Sequence, residues 1–394
     1  MKKKKDKKKT DVIKSYIFFI IVTSLTFIGG FTKTIITKEN INEYENRTAY
    51  NYEKPTIKTI VNKEFQDNIE LTLSDQIPLS TMMKKSYNRV NTLANATIMR
   101  NITKEYCKDH YVSILPGLIT YGCDNNIVYE QRMLDKESLD SRISNLNQAV
   151  ENTNAKTYVF YIEKDTDINF ETNKQSDIDK YIKENINTER FFVYETNNFE
   201  DFKNNFYKTD HHWNLDGSYK GYLDLAKLLN VKNTLEHGEV QCKTNSFSGS
   251  KSGAGAALSI YNEDMCIYKF DLPKHTIKIN GKEADYYSAT DISQLESISY
   301  ATAYGDDYAE IIFDYNQKKK DNILLIGESY DNAILELIAS HYNKTYSIDL
   351  RHYERTFGEK FNYTKYIKDN DIDKVIFIGN IDFFVSDVFN VEVE

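Results

Sequence analysis

Asp210-His211-His212-Trp213 sets a carboxylate, two imidazoles and the only tryptophan of 394 residues at consecutive positions. A carboxylate two residues from an imidazole can orient the ring and stabilise its charged form. That makes His212 a candidate general base supported by Asp210, but a base needs a nucleophile from elsewhere in the chain. Ser329 is the candidate. It lies in Gly327-Glu328-Ser329-Tyr330, directly after the apolar run 322–326 and ahead of a helical pattern, so a sharp strand-to-helix turn with serine at its apex is expected. The helix amino terminus behind it offers N–H groups and a favourable dipole to a developing oxyanion. Asn380 ends the run Val375–Gly379 and is expected at the same sheet edge as a second oxyanion donor. Tyr330, Arg351 and Trp213 are candidate substrate contacts. Each has a plainer alternative: Ser329 as a helix cap, Asn380 as a turn residue, Trp213 as packing. The other five histidines are scattered without ligand spacing, so neither a metal nor a cofactor is expected.

These residues need a scaffold that brings them together. Residues 157–162 (TYVFYI), 191–194 (FFVY), 322–326 (NILLI), 345–348 and 375–379 (VIFIG) read as strands, with helices over 178–186, after Asn214 and through Ala333–Ile338. Leu215, Tyr219, Tyr222, Leu223, Ala226 and Leu229 recur at helical spacing, and Asn214 can cap that helix. Such alternation predicts an α/β three-layer sandwich with a mostly parallel sheet. Residues 231–320 break it with a Ser- and Gly-rich stretch and Tyr-rich segments, and read as an inserted, mostly β or irregular region.

The amino terminus has a different composition. Residues 1–10 are a basic segment with seven lysines, and residues 15–32 carry no charge, long enough to span a bilayer. A transmembrane anchor over 11–33 is expected, with the amino terminus cytoplasmic and the remainder extracellular; a cleaved signal peptide is the alternative. Residues 34–99 read as stalk and linker, and residues 100–394 as the catalytic domain. The net charge of −9 includes seven lysines and one aspartate in the first ten residues, which leaves −15 on the rest. An acidic body argues against nucleic acid and against a strongly anionic polymer as the main ligand. Cys107, Cys123, Cys242 and Cys266 all fall on the expected outer side; pairing of neighbours, 107 with 123 and 242 with 266, is the simplest connectivity, and free buried thiols are the alternative.

The Gly-x-Ser turn followed by a strand ending in Gly-Asn resembles the block order of SGNH hydrolases. Here, however, Asp210 and His212 precede Ser329. That permuted order is similar to the SGNH-like domains of the alginate O-acetylation proteins, and Thr209-Asp210-His211-His212-Trp213 resembles the signature of the DHHW family. Glu45-Asn46-Arg47, Ser74-Asp75-Gln76-Ile77-Pro78 and Asp349-Leu350-Arg351 support the resemblance. Ser80, where such proteins often carry arginine, and the loose stretch 246–255 depart from it. What the resemblance implies is a permuted SGNH-like fold and an O-acetyltransferase at the cell surface. It would work beside a multi-pass membrane O-acyltransferase and place acetyl groups on polysaccharide hydroxyls through a Ser329 ester. A surface acetylesterase uses the same acyl-enzyme and is the alternative within enzymes; a non-catalytic scaffold of a polysaccharide export complex is the alternative outside them.

Overall fold

A strand buried on both faces must be apolar at every position, and the continuous runs of this chain become the interior of an eight-stranded sheet. In chain order its strands are β1 (Lys156–Ile162), β2 (Arg190–Tyr194), β3 (Thr276–Ile279), β4 (Lys282–Ala284), β5 (Glu310–Asp314), β6 (Ile323–Ile326), β7 (Lys344–Ile348) and β8 (Lys374–Gly379). The spatial order is β4-β3-β5-β7-β6-β8-β1-β2. From β7 to β2 all neighbours are parallel, and β3, β4 and β5 extend that edge antiparallel. The computed structural model describes residues 47–77 and 112–393, apart from 116, 122–125, 252–262, 290 and 296–297, and otherwise only scattered positions of 14–42 and 82–94.

Alternation along each strand decides which layer a residue joins. Phe160, Ile162, Ile323, Leu325, Ile376 and Ile378 share one core with Trp213 and with the helices Leu215–Leu228 and Asn332–Ala339. Val159, Tyr161, Leu324, Ile326, Val375 and Phe377 join the opposite core, under the helices Lys136–Glu151, Ile178–Asn185 and Tyr363–Asp369. The result is an α/β sandwich with a mostly parallel sheet. The chain leaves β6 toward β7 on one side and later returns to β8 on the other. The carboxyl end of β6 is therefore a topological switch point, where open α/β sheets form their crevices.

The region 231–320 is not an insertion apart from the sheet, because β3, β4 and β5 belong to it. Glu310–Asp314 alternates buried and half-buried residues, the pattern of an antiparallel strand with one wetter face, which looks unlike the solid apolar runs of the parallel strands. Among the described residues of this region, only the pair Val240–Phe247 with Glu263–Tyr268 stands apart as a two-stranded sheet, a hairpin. Cys242 and Cys266 face each other across it and form a disulfide; Cys107 and Cys123 lie outside the described residues.

Residues 47–77, part of the stretch read as stalk and linker, lie against the body. The Thr48 hydroxyl donates to Asp306 at 3.1 Å. The helix Glu64–Gln76 ends with Ile77 extended, as a residue before Pro78 must be. The anchor expected over 11–33 falls in part outside the described residues, and among those described no helix is long and apolar enough to cross a membrane.

Candidate active site

Ser329 sits where β6 gives way to the helix Asn332–Ala339. Gly327 makes the turn possible by its lack of a side chain. A Cβ there would lie 2.4 Å from Asp331 Oδ2 and 2.7 Å from Ile378 Cγ2. Glu328 leans across to β8, where one carboxylate oxygen accepts the Asn380 backbone N–H at 3.0 Å and its side-chain amide at 2.6 Å. The Glu328 carbonyl accepts the Asp331 N–H at 3.0 Å and closes the turn. Among the described residues no acceptor meets the Ser329 N–H, so it is available to a ligand.

Asp210 and His212 reach the same place from a loop folded back on itself. Phe206 and Trp213 form an antiparallel bridge, and the Tyr207 N–H donates to the His212 carbonyl at 3.1 Å. Asn214 caps the following helix through the Gly217 N–H at 2.9 Å. The rest of the loop is held from the disulfide-bonded hairpin. Glu263 accepts the N–H groups of Lys208 and Thr209 at 2.7 and 2.6 Å and the Thr209 hydroxyl at 2.5 Å. Beyond the first hairpin strand, the Gly249 N–H donates to Thr209 Oγ1 at 3.0 Å and the Ser250 N–H to Asp210 Oδ2 at 2.7 Å. A Cβ on Gly249 would fall 2.3 Å from Asp210 Cβ. Lys251 then buries its ammonium against Asp165 at 2.6 Å.

The outcome is a relay. Asp210 Oδ1 lies 2.6 Å from His212 Nδ1, and His212 Nε2 lies 2.7 Å from Ser329 Oγ. Burial pushes the Asp210 carboxyl up, but the two imidazoles and the Ser250 N–H more than offset it and hold it well below the usual carboxylate range. An ionised carboxylate can only accept, so Nδ1 carries the proton of the neutral ring and Nε2 is left to accept from the Ser329 hydroxyl. Tyr300 stacks on the His212 ring at 3.8 Å with a 7° interplanar angle, and His212 and Ser329 are 5% and 9% exposed. His211 points elsewhere: its Nδ1 pairs with the Ser250 hydroxyl at 2.8 Å. Burial, with His212 beside it, holds the His211 ring well below its ordinary pKa and therefore neutral.

The other candidates divide. Asn380 stands beside the turn, one amide N–H given to Glu328 and its amide oxygen accepting the Asp382 N–H at 2.8 Å. Trp213 cannot meet a substrate; it is fully buried between Tyr194 and Tyr330. Tyr330 is likewise buried, its hydroxyl given to the His211 carbonyl. Arg351 spends its guanidinium on Asp349 and Asp307. The Asp307 carboxylate on Arg351 and the Tyr330 hydroxyl bonded to a distant carbonyl are tertiary events with no local sequence signature, whereas Asp349 lies only two residues from Arg351. Tyr300, Glu263, Gly249, Ser250 and Lys251 escape a reading of the sequence for the same reason, and the Ser-Gly run is the one visible trace of the last three. Ligand atoms of Asp210, His211 and His212 lie within 4.8 Å of one another, as do those of Asp307, Asp349 and His352. The first carboxylate is already filled by N–H donors, and Arg351 supplies the cation of the second.

Residues 157–348 match the family described as DHHW protein. The match spans 192 of the 394 residues, just under half of the chain. None of the curated proteins matches the sequence. Among solved structures, the fold is similar to that of Bacillus cereus PatB1 with a sulfonyl adduct, at a TM-score of 0.54 and 20% identity, covering 70% of this chain and 99% of that one. It is also similar to a DHHW family protein from Eubacterium siraeum, with a TM-score of 0.56, 15% identity and coverage of 72% and 98%. The O-acetyltransferase domain of Pseudomonas putida AlgJ is more distant, with a TM-score of 0.38, 9% identity and coverage of 68% and 92%.

Proposed function

We propose that this protein is an O-acetyltransferase of the DHHW family that moves acetyl groups onto hydroxyls of a cell-surface or secreted polysaccharide through an ester on Ser329. The observation that carries the reading is the relay from Asp210 through His212 to the Ser329 hydroxyl, 2.6 and 2.7 Å long. His212 Nε2 takes the hydroxyl proton as Oγ attacks the donor carbonyl carbon, and Asp210 stabilises the imidazolium. The oxyanion is met by the Ser329 N–H and the remaining amide N–H of Asn380. Collapse expels the donor alcohol, which takes the proton from His212. A sugar hydroxyl then gives its proton to His212 and attacks the acyl carbon; the Oγ–carbon bond breaks and Ser329 is reprotonated.

An anchor over 11–33 would hold the site beside a membrane O-acyltransferase that delivers the acetyl group, raising its effective concentration. Bacillus cereus PatB1, which is similar in fold, carries a sulfonyl adduct, and sulfonyl groups bond covalently to activated nucleophiles. The test is the acetyl content of the surface polymer in cells carrying Ser329→Ala. Loss of acetylation with the polymer retained is expected. Normal acetylation would overturn the enzymatic reading in favour of a scaffold, and raised acetylation would show an esterase.

A further inference from the structure

A cleft of about 550 Å³ opens along the His211 edge of the site, lined by Tyr129, Glu130, Arg132, Lys164 and Asp382 as well as His211. Its size is that of a small-ligand site. Neither His212 nor Ser329 lines it, but two of its lining residues touch the site's own groups. The His211 ring lies 3.8 Å from that of His212, and Asp382 donates its N–H to the same Asn380 amide that Glu328 holds.

Asp382 is built in, not loose. Lys164, with a side chain 5% exposed, donates to one of its oxygens at 3.2 Å, and Arg132 pairs with the other at 2.7 Å. Burial pushes the Asp382 carboxyl up, but the two cations more than offset that and hold it below its ordinary value, so the charge pair persists. Arg132 and Asp382 nevertheless keep 45% and 41% of their side chains exposed, so free guanidinium N–H groups and carboxylate lone pairs stand side by side at the cleft wall. The formal charges of the lining cancel: Arg132 and Lys164 against Glu130 and Asp382, with His211 neutral. A balanced wall of paired donors and acceptors suits hydroxyls, which both donate and accept, and gives an anionic polymer no net attraction.

We infer that this cleft seats the acyl acceptor, that the acceptor is an uncharged, hydroxyl-rich saccharide, and that Arg132 and Asp382 are its specificity residues. The inference rests on the acyl-transfer reading and adds the acceptor class to it. The saccharide hydroxyl held there loses its proton to His212 Nε2 and takes the acyl carbon from Ser329 Oγ, which receives that proton.

The test uses the full-length protein in detergent, p-nitrophenyl acetate as donor, and cellohexaose, xylohexaose, chitohexaose and hexagalacturonate as acceptors. The readout is the ratio of acetylated oligosaccharide to free acetate, which does not depend on how fast Ser329 is acylated. The expected result is transfer to at least one neutral hexasaccharide in preference to hexagalacturonate. Arg132→Ala and Asp382→Asn should each lower the ratio about tenfold, the effect of losing roughly 1.4 kcal/mol of acceptor binding, and Arg132→Lys should recover part of it. An acylated Ser329 with transfer to none of the neutral sugars, with hexagalacturonate preferred, or with a ratio unmoved by the variants overturns the acceptor site and leaves acyl transfer standing. A Ser329 that takes up no acetyl group removes both.

Discussion

The turn that carries Ser329 and the loop that carries Asp210 and His212 are positioned in different ways. Ser329 is set by the continuity of strand, turn and helix, with Gly327 giving passage and the helix start closing behind it. Asp210 and His212 depend on residues 40 to 55 positions further along: Gly249, Ser250 and Glu263, all carried by one disulfide-bonded hairpin and its continuation. A nucleophile fixed by local backbone tolerates distant change, whereas a base fixed by remote side chains is only as well placed as its clamp. Damage to the hairpin should therefore impair the base while leaving the serine where it is.

The sharpest break of this contrast is at the reacting atoms. Ser329→Ala and His212→Ala should each lower acyl transfer by on the order of 10⁴-fold or more, and the double variant should be scarcely worse, because the groups act as one unit. Steady-state rates with p-nitrophenyl acetate would show it; additive losses would separate the two residues. Next comes Gly249→Ala, whose Cβ collides with Asp210. Displacing Asp210 by about 1 Å is expected to cost on the order of 10²-fold in rate. Overpacking should add about 1–3 kcal/mol of instability in denaturant titration. A normal rate would mean that the clamp does not position the base.

Removing the disulfide is a milder attack on the same clamp. Cys242→Ser with Cys266→Ser opens a link 24 residues in span, worth roughly 3 kcal/mol in the chain-entropy account. Activity should be lost on warming before the sheet melts, as followed by parallel rate and far-ultraviolet measurements. Stability in the sheet itself has its own pH signature. Burial pushes the Glu163 carboxyl up to about 8. A raised folded-state value means that its contribution is fully present below about 4.5 and is lost as pH rises through about 8. Melting temperature should fall by a few degrees over that interval, and Glu163→Gln should flatten the slope. The smallest effect belongs to His211→Gln, which removes a ring that is neutral and bonded to Ser250; under tenfold loss is expected.

The same contrast explains what could be read without coordinates. β1, β6 and β8 announced themselves because parallel strands are apolar at every position, and Ser329 followed because its whole setting is local. Asn214 was readable as a cap for the same reason. The pairing of His212 with Ser329 is 117 residues long and became legible only through the spacing of Asp210 and His212 and a family resemblance. The sheet membership of β3 to β5 is hidden by their alternating pattern; Trp213 and Tyr330 look functional by type but are turned inward by remote partners, and Arg351 is held by remote Asp307 together with neighbouring Asp349.

The most direct test of the account is the site of covalent capture. Treated with phenylmethylsulfonyl fluoride and digested, the protein should yield one sulfonylated peptide, modified at Ser329, with labelling slowed at least a hundredfold by His212→Ala and little changed by His211→Ala. A label on another residue, or equal labelling of Ser329 with and without His212, would contradict the claim that this histidine activates this serine.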